Sequence, residues 1–340
     1  MNSLTPQVKD SSPWTVIIGY AVAAIALLWV FHGINVGFIL QDLSSIKWPL
    51  AIAGMFFDIG RYITQSFRWK FLLSSFGKIS FLKTFRALYS GVFLNMIFPM
   101  RLGEVARAYI ASRSADLPLP SALSSLLVEY LFDGFWLAVG IGFAGFFVAL
   151  PVQIMGAAKI LGGLIVAASI IFFIIIFRKI PFIEKTLSKS DEQGKPVFAG
   201  IAVFLRELRQ GMQSMSKSKL FIPAFLLSAL DLFFHAGAFW IIMNAYGIHL
   251  PFLTSTAVVF FVFVGLIVPN APSNVGAFQF LCVIALMAVG IDKTHATGFS
   301  IFVFVLVSIP QMTIGAIAFG ASGKTLSEIK NEAKKLRRKK

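Results

Sequence analysis

The chain has 340 residues, 57% hydrophobic and 13% charged, with 30 Lys and Arg against 15 Asp and Glu and a formal net charge of +15. A soluble globular chain carries about 25% charged residues, so a water-soluble domain is excluded. The apolar blocks are long enough to cross a bilayer, which takes about 20 residues per helix, and they lack the alternation of barrel strands, so the fold expected is all-α, a polytopic membrane helical bundle.

In chain order, the first span is expected at Trp14–Ile34, after a polar start that lacks the basic region of a signal peptide. A second, weaker one covers Trp48–Phe67, interrupted by Asp58 and Arg61, and leads into a basic stretch from Arg68 to Arg86. Leu88–Met100 is too short to cross and runs into Pro99–Glu104. Ala122–Leu150 is long, with Glu129 and Asp133 near its start, and Ile154–Phe177 is nearly free of charge. Residues 178–219 read as a polar cytoplasmic loop whose Val197–Met212 portion is an amphipathic surface helix. Leu220–Tyr246 is a span carrying Asp231 and His235. Phe252–Val268 and Gly276–Val289 flank a second interruption, and Thr297–Phe319 is the last span. Residues 1–323 thus read as one membrane domain of about six to eight spans, and 324–340 as a basic cytoplasmic tail.

Basic residues collect on the cytoplasmic side of membrane proteins. This puts the Arg68–Arg86 stretch, residues 178–219, the tail and both termini inside a cell (inner) membrane, and the charge-poor loops near Gln41, Gln153, His249 and Asp292 outside. The basic excess then faces anionic lipid, and no nucleic-acid partner is expected. Residues 88–115 begin and end inside, and residues 252–291 begin and end outside. Each is broken by Pro and Gly. Paired broken segments of opposite orientation point to re-entrant elements of an inverted-repeat transporter.

The breaks have a chemistry. Pro99 has no N–H and disfavours a helical Phe98, so a helix ends there and restarts near Gly103. The N–H groups of a new helix favour an anion, and Arg101 can grip a phosphate through two donors. The second break offers Asn270, Ser273, Asn274 and Gly276. The bland alternative is that Arg101 and Glu104 pair and hold a turn. Glu129 and Asp133 share a helix face; they can take a proton or cation, but pairing with Arg101 and Arg107 is preferred, because an unpaired charge in a bilayer is costly. Asp231 and His235 also share a face, as a proton relay or half of a metal site. No further His or Cys stands at ligand spacing, so no metal is expected. Asp58 and Arg61 are expected to neutralise each other. Cys282 is the single cysteine and forms no internal disulfide. No nucleotide loop, nucleophile elbow or zinc-protease helix is present, and no cofactor is expected.

The stretches "NMIFPMRLGEVARAYIAS", "LLVEYLFDGFWLAV" and "VPNAPSNVGAFQFLCVIALMAVGI" resemble the lysylphosphatidylglycerol synthase transmembrane family, also called flippase-like. The family pattern falls on Asn95, Pro99, Arg101, Gly103, Glu104 and Arg107, then on Glu129 and Asp133, then on Pro272 and Gly276. Gln279 stands where the family has Glu, which removes a titratable group and keeps hydrogen bonding. "SFRWKFLL" at Ser66–Leu73 matches an Arg-Trp feature of the family. The resemblance implies the membrane half alone, without the soluble aminoacyl-transferase domain, and hence no enzyme. It implies movement of lipid between leaflets; the helix starts and Arg101 at the breaks add the expectation that the partners are membrane lipids of anionic headgroup. Three functions compete: a flippase-like transporter of an anionic or glycosylated lipid, a membrane-embedded glycosyltransferase-like enzyme on a lipid-linked substrate, and a non-transporting scaffold for a partner biosynthetic enzyme.

Overall fold

A computed structural model describes residues 13–98, 102–147, 210–266 and 272–329, with isolated positions 156, 163 and 167. The described residues form helices and no strand. In chain order the main ones are α1 (Pro13–Phe31), α2 (Val36–Ser44), α3 (Trp48–Leu73), α4 (Phe81–Ile97), α5 (Leu102–Ala115), α6 (Leu119–Phe147), α7 (Phe221–Tyr246), α8 (Phe252–Gly265), a 3-10 turn (Pro272–Asn274), α9 (Ala277–Ala288) and α10 (Lys293–Gly320).

Among the described residues, three stretches are long and apolar enough to cross a membrane on their own: Leu119–Phe143, Phe221–Tyr246 and Lys293–Gly320. The first span bends by 83° between α1 and α2. The region near Gln41 is therefore helical, not the expected loop. Asn35 makes the local difference: its Oδ1 accepts from Gly37 N at 2.9 Å and caps α2. α3 has 26 residues but carries Asp58, Arg61 and Arg68, so length rather than hydropathy marks it. The helices turn large apolar side chains outward: Leu28, Ile317 and Ile25 are each about two-thirds exposed or more. On a soluble protein such a surface would drive aggregation; around a bundle it is the face for lipid tails.

Close approach of helices depends on small residues. α3 lies along α7, with Gly54 against the Ala238 carbonyl and Ile242, and Gly237 against Phe57. The two larger apolar cores among the described residues form around such contacts. One gathers Ile242, Tyr246, Val259, Cys282, Phe299 and Val303. The other gathers Trp69, Leu88, Tyr89, Ile110 and Leu117. At one end, Lys293 Nζ donates to the carbonyls of Trp29 (2.7 Å) and His32 (2.8 Å), and His295 Nδ1 meets Asp42 Oδ2 at 2.7 Å. These contacts tie the start of α10 to α1 and α2.

The expected span at Ile154–Phe177, most of residues 178–219 and the tail beyond Ile329 lie outside the described residues. The end of the expected amphipathic helix is described. Gln210–Ser216 is helical, and Met212 and Met215 bury themselves with Leu72, Val128, Phe132 and Ala224. Its apolar side is thus covered by the bundle at this end.

Candidate functional site

The first break lies between Ile97 and Leu102, where the sequence locates it. α5 then runs back along α4 as a hairpin: Asn95 meets Gly103 and Glu104, and Gly91 meets Arg107. A helix start leaves N–H groups without intrahelical partners. Here Asn95 reaches across the break and its Oδ1 accepts from Gly103 N at 2.7 Å, while its Nδ2 donates to Glu104 Oε1 at 3.2 Å. The Gly103 N–H expected to meet an anion is therefore taken within the protein. Gly103 has another reason to be glycine. A Cβ there would collide with the Gly91 carbonyl and the Asn95 side chain. The α4–α5 contact requires it, not the approach of a ligand. Pro99 and Arg101 lie outside the described residues.

Behind the hairpin runs a buried chain of charges. Arg107 pairs with Glu129, approaches Glu104 at 3.6 Å and stacks over the Trp69 ring at 4.1 Å. Glu129 also accepts from Arg68, whose Nε and Nη2 lie 3.1 and 2.9 Å from Oε1. Arg68 goes on to Asp133 and donates to Ser228 Oγ at 2.9 Å. Trp69 Nε1 donates to Ser125 Oγ at 2.8 Å. From sequence, Glu129 and Asp133 pair with Arg101 and Arg107, and Arg68 belongs to a cytoplasmic basic stretch. The first holds for Glu129 and Arg107, while Asp133 meets Arg68 and Arg101 lies outside the described residues; the second is corrected, since Arg68 is fully buried. α3 continues to Leu73, past the apparent end of the span, and carries Arg68 inward to two carboxylates. The Arg-Trp pair is the signal for it, since Arg68 serves the carboxylates while Trp69 serves Arg107 and Ser125.

At the second break the chain turns through left-handed backbone. Ser273 and Asn274 have φ of 58° and 57°, and Gly276 has φ of 83°. Asn tolerates this region and Ser rarely enters it. Gly276 also sits on α1, where a Cβ would lie 2.6 Å from the Ala23 carbonyl oxygen. Gln279 Oε1 accepts from Gly276 N at 2.7 Å, so the amide caps its own helix. Asn270 lies outside the described residues.

The two breaks meet at one cavity of about 330 Å³. Asn95 and Glu104 line it from the first break, and Pro272, Ser273 and Asn274 from the second. α3 adds Asp58, Arg61 and Tyr62; α7 adds His235; α10 adds Ser308 and Gln311. Phe239, Phe263, Phe278 and Phe304 supply apolar wall. Asp58 and Arg61 do pair, at 3.4 Å, and Gln311 Nε2 donates to the other Asp58 oxygen at 3.2 Å. Arg61 lies over the Tyr62 ring at 4.1 Å. As a self-neutralising pair, Asp58 and Arg61 give no reason in the sequence to join the site, yet both line the cavity. Ser308 and Gln311 also escape the sequence reading; polar residues flanking Pro310 in an otherwise apolar span are the available signal.

Of the remaining candidates, Arg107, Glu129, Asp133, Gly276 and Gln279 are not among the residues that line the cavity. His235 reaches the cavity and its ring packs 3.9 Å from that of Phe263. Asp231, one turn away, is buried, and its Oδ1 has no hydrogen-bond partner among the described residues.

Comparison with known proteins agrees with the membrane reading. Glycosyltransferase AglD from Haloferax volcanii is 27% identical over 133 residues, which are 38% of this chain and 21% of that protein. The chain therefore spans about a fifth of that relative's length. The family described as the lysylphosphatidylglycerol synthase TM region, a membrane domain of the flippase-like kind, matches residues 16–315. With most of its length matched, and with the broken helices and buried charges in place, the chain belongs to that family.

Proposed function

We propose that the protein carries an anionic or glycosylated lipid between the leaflets of a cell membrane, its headgroup passing through the cavity between the two breaks. The observation that carries this reading is the meeting of Asn95 and Glu104 with Pro272, Ser273 and Asn274 around one partly polar cavity. Two broken segments converging on one site suit alternating access. Strain at Ser273 and Asn274 suits a segment that changes shape. Asp231 and His235 are proposed to handle a proton during the cycle. Arg101, one residue before α5 in sequence, is proposed to hold the phosphate of a lipid that carries one. The proposed topology keeps both termini cytoplasmic and makes 88–115 and 252–291 re-entrant, related as an inverted repeat.

The test is translocation in liposomes, using phosphatidylglycerol and glucosyl-diacylglycerol with a fluorophore on an acyl chain. Dithionite quenches the outer leaflet at once, and protein-catalysed exchange exposes the inner leaflet. Exchange of either lipid above protein-free vesicles supports transport. Exchange of neither by folded protein contradicts it.

The partial similarity to a protein named a glycosyltransferase supports a second reading, a membrane-embedded transferase on a lipid-linked substrate. Under that reading, purified protein would release nucleotide from a sugar nucleotide only when lipid acceptor is present.

A further inference from the structure

Among the described residues, the charges of the cavity wall are already matched. Among the described residues lining it, the carboxylates are Asp58 and Glu104. Asp58 faces Arg61 at 3.4 Å, and Glu104 faces Arg107 at 3.6 Å from behind the wall. Both carboxylates also take an amide donor, from Gln311 and Asn95 at 3.2 Å each. An ammonium headgroup would have to compete with an arginine for either carboxylate. A phosphate would meet the two carboxylates, and the guanidinium among the described lining residues, Arg61, is held by Asp58 and the Tyr62 ring. Bringing a net charge into such a site costs more than leaving it in the interface.

Hydrogen bonding is a different matter. An ionised carboxylate has about four acceptor sites, and each of these two uses only some of them. Asn274, Ser273 and Ser308 add carboxamide and hydroxyl groups to the lining. The rings of Phe239, Phe263, Phe278 and Phe304 line the same cavity. A molecule that suits this mixed lining carries many hydroxyls on its edges, presents apolar C–H faces, and has no charge.

We infer that the part of the lipid entering this cavity is an uncharged, polyhydroxylated headgroup, a sugar. The inference rests on the transport reading only in assigning the cavity to a lipid; the recognition is the cavity's own. The ligand would donate hydroxyls to Asp58 and Glu104 and accept from Arg61 and Gln311, while a ring face lies on the phenylalanines.

Binding and transport separate the two ideas. Full-length protein is purified in a detergent without a sugar headgroup, and its thermal stability is titrated with glucosyl-diacylglycerol, phosphatidylglycerol or phosphatidylethanolamine of the same acyl chains. Glucosyl-diacylglycerol is expected to bind at least tenfold more tightly than the other two. Gln311→Leu and Ser308→Ala should each weaken it several-fold to tenfold, and neither should alter the weak response to phosphatidylglycerol. Equal or tighter binding of phosphatidylglycerol or phosphatidylethanolamine would overturn the sugar assignment, whatever the liposomes show. Selective binding of the glycolipid without its exchange in liposomes would leave that assignment standing and sink transport instead.

Discussion

Arg68 and Glu129, 61 positions apart in sequence, meet through two N–H donors on one carboxylate oxygen, at 3.1 and 2.9 Å, with both residues buried. The other Glu129 oxygen holds Arg107. One carboxylate therefore joins α3, α5 and α6, and through Arg107 and Trp69 it supports Glu104 at the cavity wall.

Removing one member of such a buried pair leaves the other uncompensated, at a cost of about 3–5 kcal/mol. Arg68→Ala should therefore lower the thermal midpoint of the purified protein sharply. Lys70→Ala, two positions on, should change stability by no more than about 0.5 kcal/mol. Arg68→Lys should fall between, since it keeps the charge and loses the fork. Equal tolerance of Arg68→Ala and Lys70→Ala would return Arg68 to the basic-loop reading.

Glycines on the hairpin give a second test. Gly103→Ala and Gly91→Ala push a methyl into the facing backbone, and overpacking of this kind costs about 1–3 kcal/mol. At Gly142 in α6 an added methyl would meet nothing within 4 Å, so Gly142→Ala should be neutral or stabilise by about 0.5–1 kcal/mol. Scanning fluorimetry of the three variants measures this; a drop only at Gly142 would refute the packing.

Much of this is legible in the sequence because a bilayer permits few solutions. The apolar blocks read at Leu220–Tyr246 and Thr297–Phe319 fall on α7 and α10, and the end of α4 at Ile97, the start of α5 at Leu102 and the turn at Pro272 fall where helix length and proline chemistry put the interruptions. What fails to show is partnership at long range. Arg68 looks like any basic residue at the end of a span until α6 brings Glu129 and Asp133 beside it. Asn95 gives no local sign that it will cap α5 across a break. Asp58 and Arg61, three positions apart, are recognisable as a pair, but only the packing of α4, α7 and α10 against α3 reveals that they line a cavity. Helix α2 is hidden because its nine residues are too few to register as a span.

Gln279 tests how the second break is capped. Glutamate at the same position can accept the same bond from Gly276 N and would sit in the first turn of α9, where a carboxylate is favoured. Gln279→Glu should keep wild-type stability, and Gln279→Leu should lose about 1 kcal/mol. The reverse order in thermal unfolding would remove the capping role.

Asp231 is predicted to separate stability from function. Its Oδ1 is buried without a hydrogen bond among the described residues, an arrangement that costs free energy. Asp231→Asn should therefore unfold at the wild-type temperature or above it, and should lose lipid exchange. A loss of stability like that of Arg68→Ala would make Asp231 a structural partner instead.

The most direct measurement asks whether lipid headgroups pass through the cavity. Ser308 lines it, and Thr313, on the same helix, is exposed on the outside. Ser308→Trp and Thr313→Trp would be reconstituted at equal folded yield, with Val307→Phe as a milder obstruction of the same cavity. Exchange of glucosyl-diacylglycerol would then be followed by dithionite quenching. The account predicts at least a tenfold slower exchange for Ser308→Trp, a smaller loss for Val307→Phe, and wild-type exchange for Thr313→Trp. Wild-type exchange in all three would contradict it, because lipid would then be moving by a route that does not use the cavity.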